Sequence, residues 1–251
     1  MESETGTVML LVAAQNAVFV ALTLGAFWGG VLVLRGFGRR LSFSPVPLGF
    51  IRPPQGVVRT LVVGVAFGLA AIVASALLAA ASRYGLRALG YPSDGAAQQP
   101  FMDGISSWVS ESPGVAIPLV FLIVGLVTPV AEEILFRGGI FGGLHHLLST
   151  ISEKFFRRRA VKADESSPAT TRNRHGDRVT FIIAAGLSSA MFASLHLEPV
   201  IFLSIFTLAV GLCWLQSRSG LLAPIAAHAT FNSFTVALLV LGGLGILPQG
   251  V

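Results

Sequence analysis

"PLVFLIVGLVTPVAEEILFRGGIFGGL", residues 118–144, decides how this chain folds. Its first ten residues are uncharged and apolar enough to lie in lipid. Two adjacent carboxylates, Glu132 and Glu133, follow, and then Arg137. Ionisable groups within a spanning segment are costly in hydrocarbon. They face a polar interior or one another, and their default reading is functional. The stretch therefore predicts a membrane helix whose inner face carries chemistry.

The rest of the chain fits that reading. Of 251 residues, 53% are hydrophobic and 12% charged, about half the charge of a soluble domain; mean hydropathy is +0.77. Apolar runs at about 7–35, 57–82, 114–149, 179–197, 199–217 and 221–247 approach or exceed the ~20 residues that cross a bilayer. The third is too long for one straight crossing. It predicts a tilted or broken helix, or a span followed by an interfacial helix around 138–150. The expected fold is all-α: a polytopic membrane bundle of about six to eight transmembrane helices around a polar intramembrane cavity. The first run is too long for a signal peptide and lacks a basic start. No internal repeat is visible, which argues against an inverted-repeat transporter. The single cysteine, Cys213, excludes a disulfide framework within the chain and reads as a buried apolar residue.

The net charge of +5 does not point to nucleic acid, because of where the basic residues lie. Connection 35–59 holds five arginines and no acid. Connection 150–178 holds eight basic residues, among them Arg157, Arg158 and Arg159. The positive-inside rule puts both, and the turn at Arg218, in the cytoplasm. Connection 83–113, with Asp94, Asp103 and Glu111, falls outside, as does the acidic start. The middle of 150–178 reads as a polar, mobile loop. The small size and the Ala, Gly and Arg content suggest a prokaryotic plasma membrane.

Helical spacing sorts the polar residues within the runs. Glu133 and Arg137 are four apart and can pair. Glu132 lies about 100° around the helix and is left for chemistry. Thr128–Pro129 just before them breaks backbone bonding and frees polar groups. His196, one turn after Phe192, and His228, one turn before Asn232, are the deep histidines. Glu, two His and Asn make a water-activating and oxyanion-stabilising set. Glu132, His196 and His228 also form a possible ligand set for a divalent metal such as zinc, although no HExxH is present. A metal-independent reading is favoured, because Asn232 suits an oxyanion donor better than a ligand. Glu198 stands just past the run that holds His196. His145 and His146 read as interfacial and His175 as solvated loop. Gly138, Gly139, Gly142, Gly143, Ser188, Ser189 and Ala190 either let helices approach closely or line a cavity. By rise per residue, His196 lies roughly 25 Å from Arg178 and His228 roughly 15 Å from Arg218. Both meet Glu132 only if the helix before His196 is strongly tilted or begins before the bilayer.

The order EExxxR (Glu132–Arg137), FxxxH (Phe192–His196) and HxxxN (His228–Asn232), each in an apolar run, resembles the CAAX-protease and bacteriocin-processing (CPBP, or Abi) family of intramembrane endopeptidases. "GLLAPIAAHATFN" is similar to the family's third-motif context. The resemblance covers about residues 115–240, and the charged connection 150–178 is longer than the family usually has. It implies that Glu132 activates water with help from His196. It also implies that His228 and Asn232 hold the oxyanion, and that Glu133, Arg137 and Phe192 support the site. The chain then divides into N-terminal membrane helices, 1–113, with a basic cytoplasmic loop, and a catalytic membrane domain, 114–247. The implied substrate is a membrane-anchored or lipidated protein, with prenylated CAAX-like proteins among the candidates, in the bilayer, and no cofactor is required. The competing classes are a proton-coupled transporter and a catalytically silent scaffold or immunity protein of the same fold.

Overall fold

The computed structural model describes residues 2–91, 98–162 and 169–247, with side chains described outside 2–4, 155–162 and 169–175. The described residues form an all-helical bundle with no strand. Its elements are α1 (Glu2–Gly36), α2 (Val57–Ala88) and a short α3 (Gln99–Glu111), followed by a rod of α4 (Pro113–Val120), α5 (Thr128–Glu133) and α6 (Gly142–Lys162). The last three helices are α7 (Ala169–Ser194), α8 (Pro199–Ser219) and α9 (Leu222–Gly243). All six predicted apolar runs lie on helices. Among the described residues, five stretches can cross a membrane by length and composition: Thr5–Gly36, Val57–Ala88, Pro113–Lys154, Pro199–Ser219 and Leu222–Gly243. The helical part of the run at 179–197 ends at Ser194 and is diluted by Gly186, Ser188 and Ser189. It falls outside those five, yet α7 packs between α6 and α8.

The long third run is one helical stretch, Pro113–Lys154, and takes the broken-helix form rather than that of a span followed by a separate interfacial helix. Two π-helical stretches, Phe121–Val127 and Ile134–Phe141, interrupt it and flank α5. Such π turns re-aim a helix face and concentrate at functional sites. Pro129 explains the first. Lacking an N–H, it leaves the carbonyls of Val124 and Gly125 without their helical donor. Asn232 Nδ2 donates to Val124 O at 3.2 Å, and Ser233 Oγ to Gly125 O at 3.5 Å. The freed backbone therefore fastens this rod to α9.

The connection 150–178, read from sequence as a loop, is largely helical. α6 continues to Lys162 and α7 begins at Ala169. Past the apolar run of α6 the helix continues through a flank rich in helix-forming Lys and Arg. Residues 163–168 and the side chain of His175 lie outside the described residues. α7 thus starts ten residues before its apolar run, which is one of the two conditions for His196 to approach the centre.

Packing groups the chain ends. Leu221 N–H bonds to Gly49 O at 3.0 Å, tying the turn after Arg218 to connection 35–59. Gly138 approaches Leu48 so closely that a Cβ would stand 2.8 Å from its carbonyl oxygen. At the opposite end, Gln98 reaches the carbonyl of His196 at 3.5 Å, and Gly243 abuts Ser106 of α3. The basic connection 35–59 and the Arg218 turn share one end of the bundle, and the α7–α8 turn and α3 the other. Small residues allow the tightest seam: a Cβ on Gly64 or Gly68 of α2 would lie 2.6 or 2.5 Å from the carbonyls of Ala223 and Ala227 on α9.

Candidate active site

The polar centre forms where α5, α7 and α9 meet. Glu133 is fully buried, and its Oε2 lies 3.1 Å from Nε of the equally buried Arg137, the pair that the i,i+4 spacing predicted. The contact is an ion pair without hydrogen-bond alignment, and the two terminal guanidinium nitrogens find no hydrogen-bond partner. The guanidinium instead lies 4.6 Å over the Phe192 ring, where the π face offsets part of the cost of burying charge. The other oxygen of Glu133 meets His228 Nδ1 at 2.8 Å.

Glu132 is not free, as the 100° separation suggested. Its Oε2 lies 3.6 Å from His228 Nε2, and its side chain keeps 20% of its surface exposed while Glu133 keeps none. One imidazole thus spans the angle between neighbouring carboxylates, a nitrogen toward each. Of the two, Glu132 is the one whose side chain is partly open at the surface of the cluster.

Phe192 organises the remaining contacts. Its ring packs edge-on against Phe136 (4.9 Å between centroids), His196 (5.0 Å) and His228 (5.7 Å). His196 follows the end of α7, and its Nδ1 lies 3.0 Å from the Phe192 carbonyl oxygen. Among the described residues, no hydrogen bond or ion pair joins His196 to Glu132, so the shared Phe192 ring is what links His196 to His228. The chain then reverses at Leu197, whose φ of +53° is rare for a residue with a branched side chain. Asn232 sits one turn beyond His228 and spends an amide hydrogen on Val124. Glu198 stands in the α7–α8 turn, outside the centre. Burial raises its carboxyl above the ordinary value, and the nearby Arg83 charge pulls it back.

The small residues turn out mainly to be packing positions. Ser188 donates to the Phe136 carbonyl at 3.3 Å, inside the second π stretch, and Ser189 lies 3.9 Å from the buried Cys213 sulfur. Gly138 and Gly139 admit Leu48 and Thr23, whereas Gly143 faces open space. His146 is exposed, but His145 packs between the rings of Phe141 (5.7 Å) and Phe181 (6.1 Å). Asn16 was missed by sequence reasoning. It is buried in α1 and its Nδ2 donates to Thr128 Oγ1 at 2.7 Å, immediately before Pro129. Two adjacent amides, Gln15 and Asn16, in an otherwise apolar run were the signal.

The structure does not gather Glu132, His196 and His228, the residues of the metal-ligand reading, into one group. Among the described residues, no three His, Cys, Asp or Glu side chains are grouped to hold an ion. Both nitrogens of His228 already face carboxylates.

Apolar helices of spanning length and a buried Glu–His–Glu–Arg cluster define an integral membrane protein with a polar centre. The model of the Rce1-like family, type II CAAX prenyl endopeptidases, matches residues 114–234, just under half of the chain and the part that carries every residue of the cluster. The match supports the resemblance of that segment to the CAAX-protease and bacteriocin-processing family. Comparison with curated proteins and with solved structures gives no match.

Proposed function

We propose that this protein is an intramembrane endopeptidase that cleaves a membrane-associated substrate, with Glu132 as the base that activates water. The observation that carries the reading is the division between the two glutamates. Glu133 is sealed and paired, whereas Glu132 is partly exposed and faces His228. A catalytic base must reach water, and an orienting carboxylate need not.

In this reading water attacks the scissile carbonyl carbon and gives its proton to Glu132. The carbonyl π electrons move to oxygen, and the oxyanion is met by Nε2–H of His228 and by Asn232. The oxyanion role calls for a proton on each nitrogen of His228, and the two glutamates supply its counter-charge. Glu133, held by Arg137, accepts from Nδ1–H and fixes the ring. Glu132 then returns the proton to the departing amine as the C–N bond breaks. His196 helps to orient the water. No step passes through a metal. The family match supports lipidated substrates of the prenylated CAAX type; the charge pattern supports presentation from the cytoplasmic side, and size and composition support a prokaryotic plasma membrane.

The test is cleavage of a panel of prenylated and transmembrane peptides by purified protein in detergent, with Glu132→Gln alongside and each run with and without chelator. Wild type should cleave at a chelator-independent rate, and Glu132→Gln should be slower by about 10²–10⁴-fold. Equal cleavage by both proteins would make Glu132 structural. Loss of wild-type cleavage on chelation would restore the metal reading. No cleavage by either protein would favour a transporter or a silent scaffold.

A further inference from the structure

We propose that the turn closing α1 is a binding site for the phosphate of an anionic phospholipid headgroup. α1 ends in a left-handed glycine cap. Gly38 has φ +81°, its N–H bonds to Arg35 O at 2.9 Å, and Arg39 N–H reaches back to Leu34 O at 3.1 Å. This pair of bonds folds the chain back on the last helical turn. The turn places Arg39 and Arg40 with Arg35 around one opening. An open cleft of about 570 Å³ results, lined by Arg35, Gly38, Arg39, Arg40 and Leu41.

The cleft is built for an anion. Arg35 is fixed on one wall: its guanidinium stacks 4.7 Å over the Phe43 ring and donates to Leu41 O at 3.5 Å. Arg39 and Arg40 are exposed. Between Glu4 and Asp94 the chain has no acidic residue that could neutralise them. The last carbonyls of α1 add their own preference for cations in place, which helps to hold three arginines together.

A lipid phosphate fits better than a free one because of what surrounds the cleft. It caps a spanning helix whose last turns expose Leu32, Val33 and Leu34, and Phe37 projects beside it at 81% exposure. Trp28, one to two turns earlier, anchors to the Phe43 carbonyl at 3.1 Å. Indole and arginine at the same end of a span mark the headgroup level of a bilayer. A lipid there places its phosphate in the cleft and its chains along the exposed apolar face of α1.

Native mass spectrometry of the full chain in zwitterionic detergent tests this. The protein is titrated with phosphatidylglycerol, with phosphatidylcholine of the same chains, and with phosphatidylglycerol in competition with inorganic phosphate. The variants are Arg39→Gln/Arg40→Gln and, as a charge-matched control in the same connection, Arg52→Gln/Arg59→Gln. Phosphatidylglycerol should be retained in preference to phosphatidylcholine. The Arg39/Arg40 variant should bind it about tenfold more weakly or worse, and the control should stay within about twofold. Equal loss in both variants would reduce the effect to net charge and overturn the site, as would equal retention of phosphatidylcholine. Displacement by inorganic phosphate at matched concentration would overturn the lipid assignment.

Discussion

Glu133 contacts both Arg137 and His228, and all three have almost no access to solvent, so their contributions differ in kind from that of Glu132. Removing one partner of a buried ion pair strands the other, at about 3–5 kcal/mol. Arg137→Ala should therefore lower the thermal midpoint sharply in detergent. Adding Glu133→Gln to it should recover part of the loss, because no stranded carboxylate remains. Glu132→Gln should leave the midpoint close to wild type while cleavage falls. A single thermal and kinetic series on these three proteins separates a structural carboxylate from a reacting one.

The elements carry this centre on a rod with two π-helical stretches, and the rod's position depends on close backbone contacts. A methyl on Gly138 would meet the Leu48 carbonyl oxygen, which belongs to backbone and cannot swing aside, whereas Gly143 faces open space. Gly138→Ala should cost about 1–3 kcal/mol of stability, measured as a drop in midpoint, and Gly143→Ala should be neutral or better. Asn16 acts at the same scale, since it ties α1 to the residue before Pro129. An intramembrane hydrogen bond is worth about 0.6–1.7 kcal/mol. Asn16→Leu should therefore leave a folded protein with a modestly lowered midpoint. If α1 sets the register of the rod, its cleavage rate should fall further than that stability loss accounts for. A rate equal to wild type would make the bond a packing contact alone.

For the whole molecule, the end groupings become a topology experiment. Ser42 and Ser217 are exposed near the basic end, and Ser194 is exposed near the α7–α8 turn. Single cysteines at these sites, with Cys213 buried and silent, should divide under a membrane-impermeant thiol reagent. Positions 42 and 217 should label from one side, the cytoplasmic side by the charge rule, and position 194 from the other. Labelling of 42 and 217 from opposite sides would contradict the Leu221–Gly49 bond that joins those segments.

The sequence by itself determined the class of fold, because lipid leaves a chain no choice but to satisfy its backbone in helices. It also determined the Glu133–Arg137 pair, because i,i+4 geometry is local. The break at Pro129 was legible for the same reason: a proline removes a donor wherever it stands. Tertiary structure alone decided the rest. That one imidazole reaches both glutamates depends on how α9 lies across α5. That Phe192 gathers two histidines and a guanidinium depends on the rotation of α7. The charged stretch after Thr150 read as loop because polarity alone does not distinguish a solvated helix from a coil. Asn16 passed unnoticed because its partner lies 112 residues away, and a bond across that distance leaves no periodic trace in the chain.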